Sequence, residues 1–443
     1  MDEQNMQQRP RHPQRRTRSK LQIIKEDYLP VIIVGIALIL IIWFVIGSIV
    51  RTVQKNRYEN SLKQQALLTE QQQQAAVEAE VAALLAEAAV LADEFDYNAA
   101  LEVLDRFTGD MYAYKEFSDK YTEYAKAAAS LVLWDDPSQV TNLSFHPLVA
   151  DADRAFTDTF YAENYITTTE FSKILQQLYE NGYMLVRYSD LVSKDGKMQL
   201  YLPKGKKPLI ITETQVNYNE VLVNKGFASK LVLDSSGNIT CQMIDKNGQT
   251  QTGAYDIVPI LEEFVASHKD FSYKGARAIL ALTGVEGIFG YRTAPSYTNS
   301  AQETEEAKKV IAAIKEAGYE LACYSYENKA YDSRSVEQIK AELELWKKEV
   351  TPLIGDISLF VMCKGTDIAP NGSAYSGAKF QVLKSFGFSD FIGFATDGKN
   401  WFNYYTDHNR MGRIMITGTN LSNHASWFEG IFDAYAIKDR LRS

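Results

Sequence analysis

The sequence predicts an α/β domain with a largely parallel sheet, carried on a membrane-spanning helix and an all-α stalk. Three observations predict it. One uncharged apolar run of twenty residues lies near the amino terminus, a Gln/Ala/Glu/Leu-rich segment without Gly or Pro follows, and from Asn142 onward short apolar runs alternate with helices of 3.6-residue periodicity. At roughly 100–200 residues per domain, a chain of 443 residues has room for two or three folded units.

The apolar run is Val31 to Val50, VIIVGIALILIIWFVIGSIV, long enough as a helix to cross the hydrocarbon core of a bilayer. A signal peptide is the rival reading, but its apolar region is normally shorter and is followed by small residues, whereas this run continues into Arg51, Lys55 and Arg57. Residues 1–30 form a basic tail with Arg9, Arg11, Arg15, Arg16, Arg18, Lys20 and Lys25, so the positive-inside bias places the amino terminus in the cytoplasm and the bulk of the chain outside. Residues 1–57 carry ten Lys/Arg against four Asp/Glu, or +6, which leaves −15 on everything after them. A nucleic-acid-binding body is thereby disfavoured, because phosphate needs clustered positive charge. The three cysteines, Cys241, Cys323 and Cys363, show no C-x-x-C spacing and support neither a disulfide framework nor a thiolate zinc site. So few cysteines suit a bacterial surface better than a eukaryotic secreted domain.

Residues 51–136 read as a helical stalk. Gln64 to Asp93 consists of strong helix formers, and one long helix is expected to continue out of the membrane. Its stripe of Val77, Val81, Leu84, Leu85, Ala88 and Leu91 is thin, so a homodimeric coiled coil is allowed without being demanded. Glu94 to Asn98 breaks the run, a second helix begins at Ala99, and Glu116 to Leu131 reads as its continuation.

Residues 137–443 form the α/β domain. Strands are expected at Leu143–Phe145, Tyr183–Tyr188, Pro208–Ile211, Ile357–Met362, Phe391–Phe394 and Ile414–Ile416. A helix lined by Phe171, Ile174, Leu175 and Leu178 opens with the capping box Thr167-x-x-Glu170 and closes at Gly182. Others run from Glu303 to Ala317 and through Val336, Ile339, Leu343, Trp346 and Val350. The turns Asp234-Ser235-Ser236-Gly237-Asn238 and Asp245-Lys246-Asn247-Gly248 mark a β-meander, Leu231 to Thr252, inserted into this pattern.

Several short matches then occur in a fixed order: Phe145-His146-Pro147-Leu148; the helix to Glu180 with Asn181-Gly182-Tyr183; Tyr188-Ser189-Asp190-Leu191; Leu209-Ile210-Ile211-Thr212; and Lys315-Glu316-Ala317-Gly318-Tyr319. Over about residues 142–443 the chain resembles the bacterial polysaccharide deacetylases, carbohydrate esterase family four. The resemblance implies a distorted (β/α) barrel. It also implies a divalent metal, usually zinc, held by an aspartate and two histidines, with a second aspartate as base on the metal-bound water. Carried over position by position, the base becomes Thr214, the metal aspartate Gln215, and the two metal histidines Tyr324 and Asn328. Every one is changed, and neutral amide, phenol and hydroxyl oxygens are poor substitutes for zinc ligands.

The expectation is therefore a degenerate member without metal or cofactor: a pseudoenzyme anchored in the cell membrane whose domain binds cell-wall polysaccharide or an envelope protein. The alternative is an active deacetylase of N- or O-acetylated wall polysaccharide with a rearranged, zinc-bearing site. A shifted carboxylate pair, Glu213 with Asp397, would be one such rearrangement, although a one-residue slip turns Glu213 away from Gln215. Candidate substrate-binding residues are Arg292 with its fork of donors, Tyr326, the aromatic run carrying Trp401 and Tyr404, and His424 beyond the last strand. The remaining histidines of the domain, His146, His268 and His408, are expected to be packed or solvated.

Overall fold

Seven parallel strands close into a barrel in chain order: β1 (Thr141–Phe145), β2 (Lys207–Thr214), β3 (Ile279–Leu282), β4 (Glu320–Cys323), β5 (Leu359–Val361), β6 (Asp390–Phe394) and β7 (Asn409–Met415). Each pairs with the next, and β7 pairs with β1 to complete the ring. The structure is a computed structural model that describes residue 21, residues 28–192 and residues 198–442, so the expected basic tail lies almost wholly outside the described residues.

Strand periodicity sorts the side chains. On β2, Ile210 belongs to the apolar cluster inside the barrel with Ala281, Ala322, Val361 and Ile392, whereas Leu209 and Ile211 join the cluster under the surrounding helices. Thr212 and Thr214 therefore face inward and Glu213 outward. The helix Thr168–Glu180 packs its Phe171, Ile174, Leu175 and Leu178 against the outer wall and begins with the expected capping box, both reciprocal bonds being formed. Its capping Glu170 is fully buried and pairs with Arg442 at 2.7 Å, which ties the carboxyl-terminal segment to the barrel. The β-meander spans Ala228–Leu233, Ile239–Ile244 and Thr250–Gly253, its two turns closed by Asp234 and Asp245 side chains.

Several elements differ from expectation. β3 and the helix Ile257–Ser267 have no counterpart in the sequence reading. Tyr183–Leu185 is a short side strand on the start of β2 rather than a barrel stave. β7 begins five residues before Ile414, and the added stretch carries Arg410 and Arg413, both fully buried.

At the amino end, one helix runs without interruption over Leu29–Asp93, about 97 Å at 1.5 Å per residue. It is long and apolar enough to cross a membrane, with a mean hydropathy of 3.2 over its most apolar window. The chain divides into two compact units, residues 1–82 and 83–443. In the second, Phe95 in a left-handed conformation ends the helix and Asp96 caps the next, Tyr97–Leu104. Lys115–Ser130 is a separate helix packed against it, not its continuation: Gly109 and the capping Asp110 turn the chain between them. The segment after the long helix is fastened to the barrel by Lys274 N–H to the Glu94 carbonyl (2.7 Å) and by a Lys274–Asp96 ion pair at 3.2 Å.

Candidate functional site

In closed parallel barrels the strand ends at the carboxyl side converge on one mouth. Here they deliver His146 after β1, Thr214 and Gln215 at the end of β2, Thr283 after β3, Tyr324 after β4 and Lys364 shortly after β5. A cavity of about 400 Å³ opens there, lined by Gln215, Asn217, Asn219, Thr283, Asn328 and Lys364, with Glu327, Lys329 and Arg334 on its wall as well. Four mouth residues that are not glycine, Gln215, Ser325, Asn328 and Lys364, have φ between 55° and 62°. Left-handed backbone at such residues costs on the order of 1 kcal/mol each and concentrates where a site must be held in shape.

Below Gln215 the side chains form a compact polar group. The His146 Nδ1 lies 2.8 Å from the Thr214 hydroxyl and 3.3 Å from the Gln215 amide nitrogen, and the Thr214 hydroxyl is 3.0 Å from the Phe145 carbonyl. A hydroxyl has one proton to give. If Thr214 donates to Phe145, the His146 Nδ1 carries the proton and donates to Thr214; if Thr214 donates to His146, that nitrogen is bare and accepts from Gln215 as well. The second arrangement needs a neutral imidazole, whereas the first is compatible with either charge state. Burial, and then the nearby charges of Arg413 and Lys364, push the His146 pKa down to about 4.

The four positions that the sequence resemblance assigned to the base and the metal ligands separate into two pairs. Gln215 and Asn328 face the shared cavity, while Thr214 and Tyr324 are buried and take no part in its wall. Burial holds the Tyr324 phenol well above its ordinary range, so it presents no phenolate. These residues do not fit a zinc ion. Thr214, Gln215, Tyr324 and Asn328 offer no charged donor, and a buried guanidinium, Arg413, lies close enough to depress His146. Among the described residues no three His, Cys, Asp or Glu side chains converge on a point. The carboxylate pair is not brought together either: Glu213 is fully buried in the outer wall, and Asp397 is exposed in a turn where it accepts from Lys399 N–H.

The other candidates lie off the cavity. Arg292 donates to the Asn217 carbonyl at 3.3 Å and the Tyr218 carbonyl at 2.8 Å, so it braces from behind the loop that presents Asn217 and Asn219. Tyr326 is buried, its hydroxyl on Glu349 at the end of the helix Val336–Glu349. Trp401 packs over Gly393 and Gly412 on the outer wall, its indole N–H donating to the Phe394 carbonyl at 3.1 Å. Tyr404 lies at the opposite end of the barrel, paired with Asn409 and donating to the Leu191 carbonyl at 2.6 Å. His424 is exposed and stacks on Trp427 at 4.3 Å. His408 is packed, accepting from Tyr375 N–H at 2.9 Å, and His268 stacks on Phe264. The mouth residues that sequence reasoning passed over are His146, Thr283 and Arg413. The position of His146 one residue beyond β1 was the available signal; nothing in the sequence distinguishes Arg413 from a surface arginine.

No family model and no curated protein sequence matches the chain. Among solved structures it is similar to a Streptococcus pyogenes deacetylase, PplD, in complex with acetate, at 12% identity and a TM-score of 0.34, covering 64% of this chain and 93% of that one. It is also similar to a de-N-acetylase from Aggregatibacter actinomycetemcomitans, at 12% identity and a TM-score of 0.40, covering 66% and 99%. Likenesses this distant say nothing about the site, whose chemistry rests on its own side chains.

Proposed function

We propose that the protein is a membrane-anchored, deacetylase-like barrel that holds a glycan of the cell envelope at its mouth without hydrolysing it. The observation that carries this reading is the cavity between Gln215 and Asn328. Amide and hydroxyl groups line it, and two polar atoms, the Thr283 hydroxyl and the Asn328 side-chain carbonyl, are buried without a hydrogen-bond partner. A buried polar atom left unpaired costs about 1–3 kcal/mol. Sugar hydroxyls both donate and accept, so a saccharide satisfies such atoms where an apolar ligand would not.

The same side chains argue against hydrolysis. Cleaving an acetamide needs an activated water and a group to take its proton. Thr214 is no base near neutral pH, and an imidazole with a pKa of about 4 is a weak one. The apolar helix Leu29–Asp93 supports anchoring, and the cluster of basic residues before it supports a cytoplasmic amino terminus with the barrel outside.

The test uses the full-length chain in detergent micelles, titrated calorimetrically with N-acetylglucosamine oligomers and assayed for acetate with zinc added. Saturable binding that weakens roughly fivefold in Asn217→Ala, the equivalent of about one hydrogen bond, with no acetate released, is the expected result. Catalytic release of acetate dependent on one bound zinc would overturn the reading.

A further inference from the structure

Arg413 is fully buried inside the barrel, below the mouth. Its guanidinium donates to three backbone carbonyls, those of Ile392 (3.0 Å), Gly393 (2.9 Å) and Met362 (2.7 Å), and its Nε has no acceptor. The other arginines buried in this domain are paired differently. Arg410 lies 2.9 Å from Asp367, Arg442 2.7 Å from Glu170, and Arg277 2.8 Å from Glu262. Carbonyl dipoles satisfy hydrogen bonds but leave the net charge in place, and the carboxylate that acts on it through space, Asp367, is already paired with Arg410. Arg413 therefore imposes a positive field on the space above it, and its charge is the second cause, after burial, of the low His146 pKa.

The cavity wall adds to that field. Lys364, Lys329 and Arg334 stand on it against one carboxylate, Glu327, which lies 3.7 Å from Lys329. This is a local reversal of sign, since everything after residue 57 carries a net −15. A polyanion would be repelled by most of the surface and attracted here.

We infer that the saccharide unit seated at this mouth is anionic, carrying a carboxylate or a phosphate that lies toward Lys364 over the buried Arg413. The inference rests on the glycan-binding reading above and adds the charge of the ligand to it. Two sources supply that chemistry, a uronic-acid-type sugar or a phosphorylated one, and the probes separate them.

The experiment titrates the full-length chain in detergent micelles with four probes: a neutral N-acetylglucosamine tetramer, a hyaluronan oligosaccharide for the carboxylate, N-acetylglucosamine 6-phosphate for the phosphate, and N-acetylglucosamine as its neutral counterpart. At low salt at least one charged probe is expected to bind about tenfold tighter than its neutral counterpart, and near 0.5 M salt, where screening shortens to a few ångströms, that advantage is expected to fall below about threefold. Lys364→Gln is expected to cut the advantage below about threefold, weakening the charged probe more than its neutral counterpart; Arg334→Gln, farther out on the wall, removes less. Neutral probes binding as tightly as charged ones, or Lys364→Gln weakening all four equally, would overturn the charge inference and leave the glycan-binding reading standing. If none of the four binds, both fall together.

Discussion

Thr214 and Glu213 are neighbours on β2, yet they face opposite sides of the barrel wall, and the two sides bury polar groups in opposite ways. Inside, Thr214 shares a network with His146 and Gln215 near a guanidinium bonded to carbonyls rather than to a carboxylate, and the space above is open. Outside, Glu213 and Asp256 are both fully buried with no cation between them, packed among Leu148, Tyr218 and Cys241, and neither reaches the cavity. Burial, then the charge of Asp256, holds the Glu213 carboxyl well above its ordinary range; burial lifts Asp256 to about 6 although its Oδ1 accepts from Leu148 and Ile257 N–H. A perturbed carboxyl is often read as a mark of catalysis. Here the more perturbed pair is the sealed one, and access to solvent, not the size of a shift, separates site from scaffold.

Removing the interior cation gives the largest expected effect. Arg413→Met removes the guanidinium from three carbonyls, of which that of Ile392 keeps the Met362 N–H at 2.8 Å, and is expected to lower the stability of the barrel unit by about 3 kcal/mol, a typical loss where bonds to a charged group are removed. Tryptophan-fluorescence unfolding of the full-length chain in urea measures it. If enough folded protein remains for an NMR titration, the His146 pKa should rise from about 4, stopping short of the free value because burial is the first cause of its depression. Arg413→Lys separates the two roles: the charge stays and His146 should stay low, while the lost fork of donors still costs stability.

The exterior pair predicts the next effect, with the opposite sign of charge. A carboxyl whose folded pKa is raised contributes its full stability below its ordinary pKa. That contribution is lost as pH climbs from the ordinary value to the folded one, because over that window only the folded chain still holds the proton. For Asp256 the window runs from 3.8 to about 6, and Glu213 extends it upward. Wild-type stability should therefore decline through this range, and Glu213→Gln should make the decline shallower. Melting temperatures of both proteins between pH 4 and pH 8 check it; parallel curves would show that Glu213 does not titrate with folding.

Legibility of the fold followed local rules. The capping box at Thr167 and Glu170, the Asp-initiated turns of the meander and the helix that begins at Val336 are written in residues adjacent in sequence, and each formed as read. β3 was missed because Ile279–Leu282 is four apolar residues that carry no alternation, a pattern a buried stave shares with many loops. The site was half legible. Gln215 and Asn328 both line the cavity, whereas the aromatics Tyr326, Trp401 and Tyr404 are used in packing. Arg413 and Thr283 could not be found from sequence, because what matters in each is a missing partner, and partners come from strands far apart in the chain.

Thr283→Val gives the smallest change in stability and the sharpest test of what the mouth is for. The hydroxyl is buried, 2% exposed, and has no partner, so an isosteric methyl removes an unsatisfied group and is expected to leave stability unchanged or raise it by about 0.5 kcal/mol. Glycan affinity should move the other way, falling roughly fivefold with the loss of one hydrogen bond, and by the same factor for neutral and charged probes because no charge is removed. Unfolding and calorimetric titration on one preparation read both quantities. A residue kept only for packing would lose stability on substitution and leave affinity alone; the reverse pattern is what a binding surface produces.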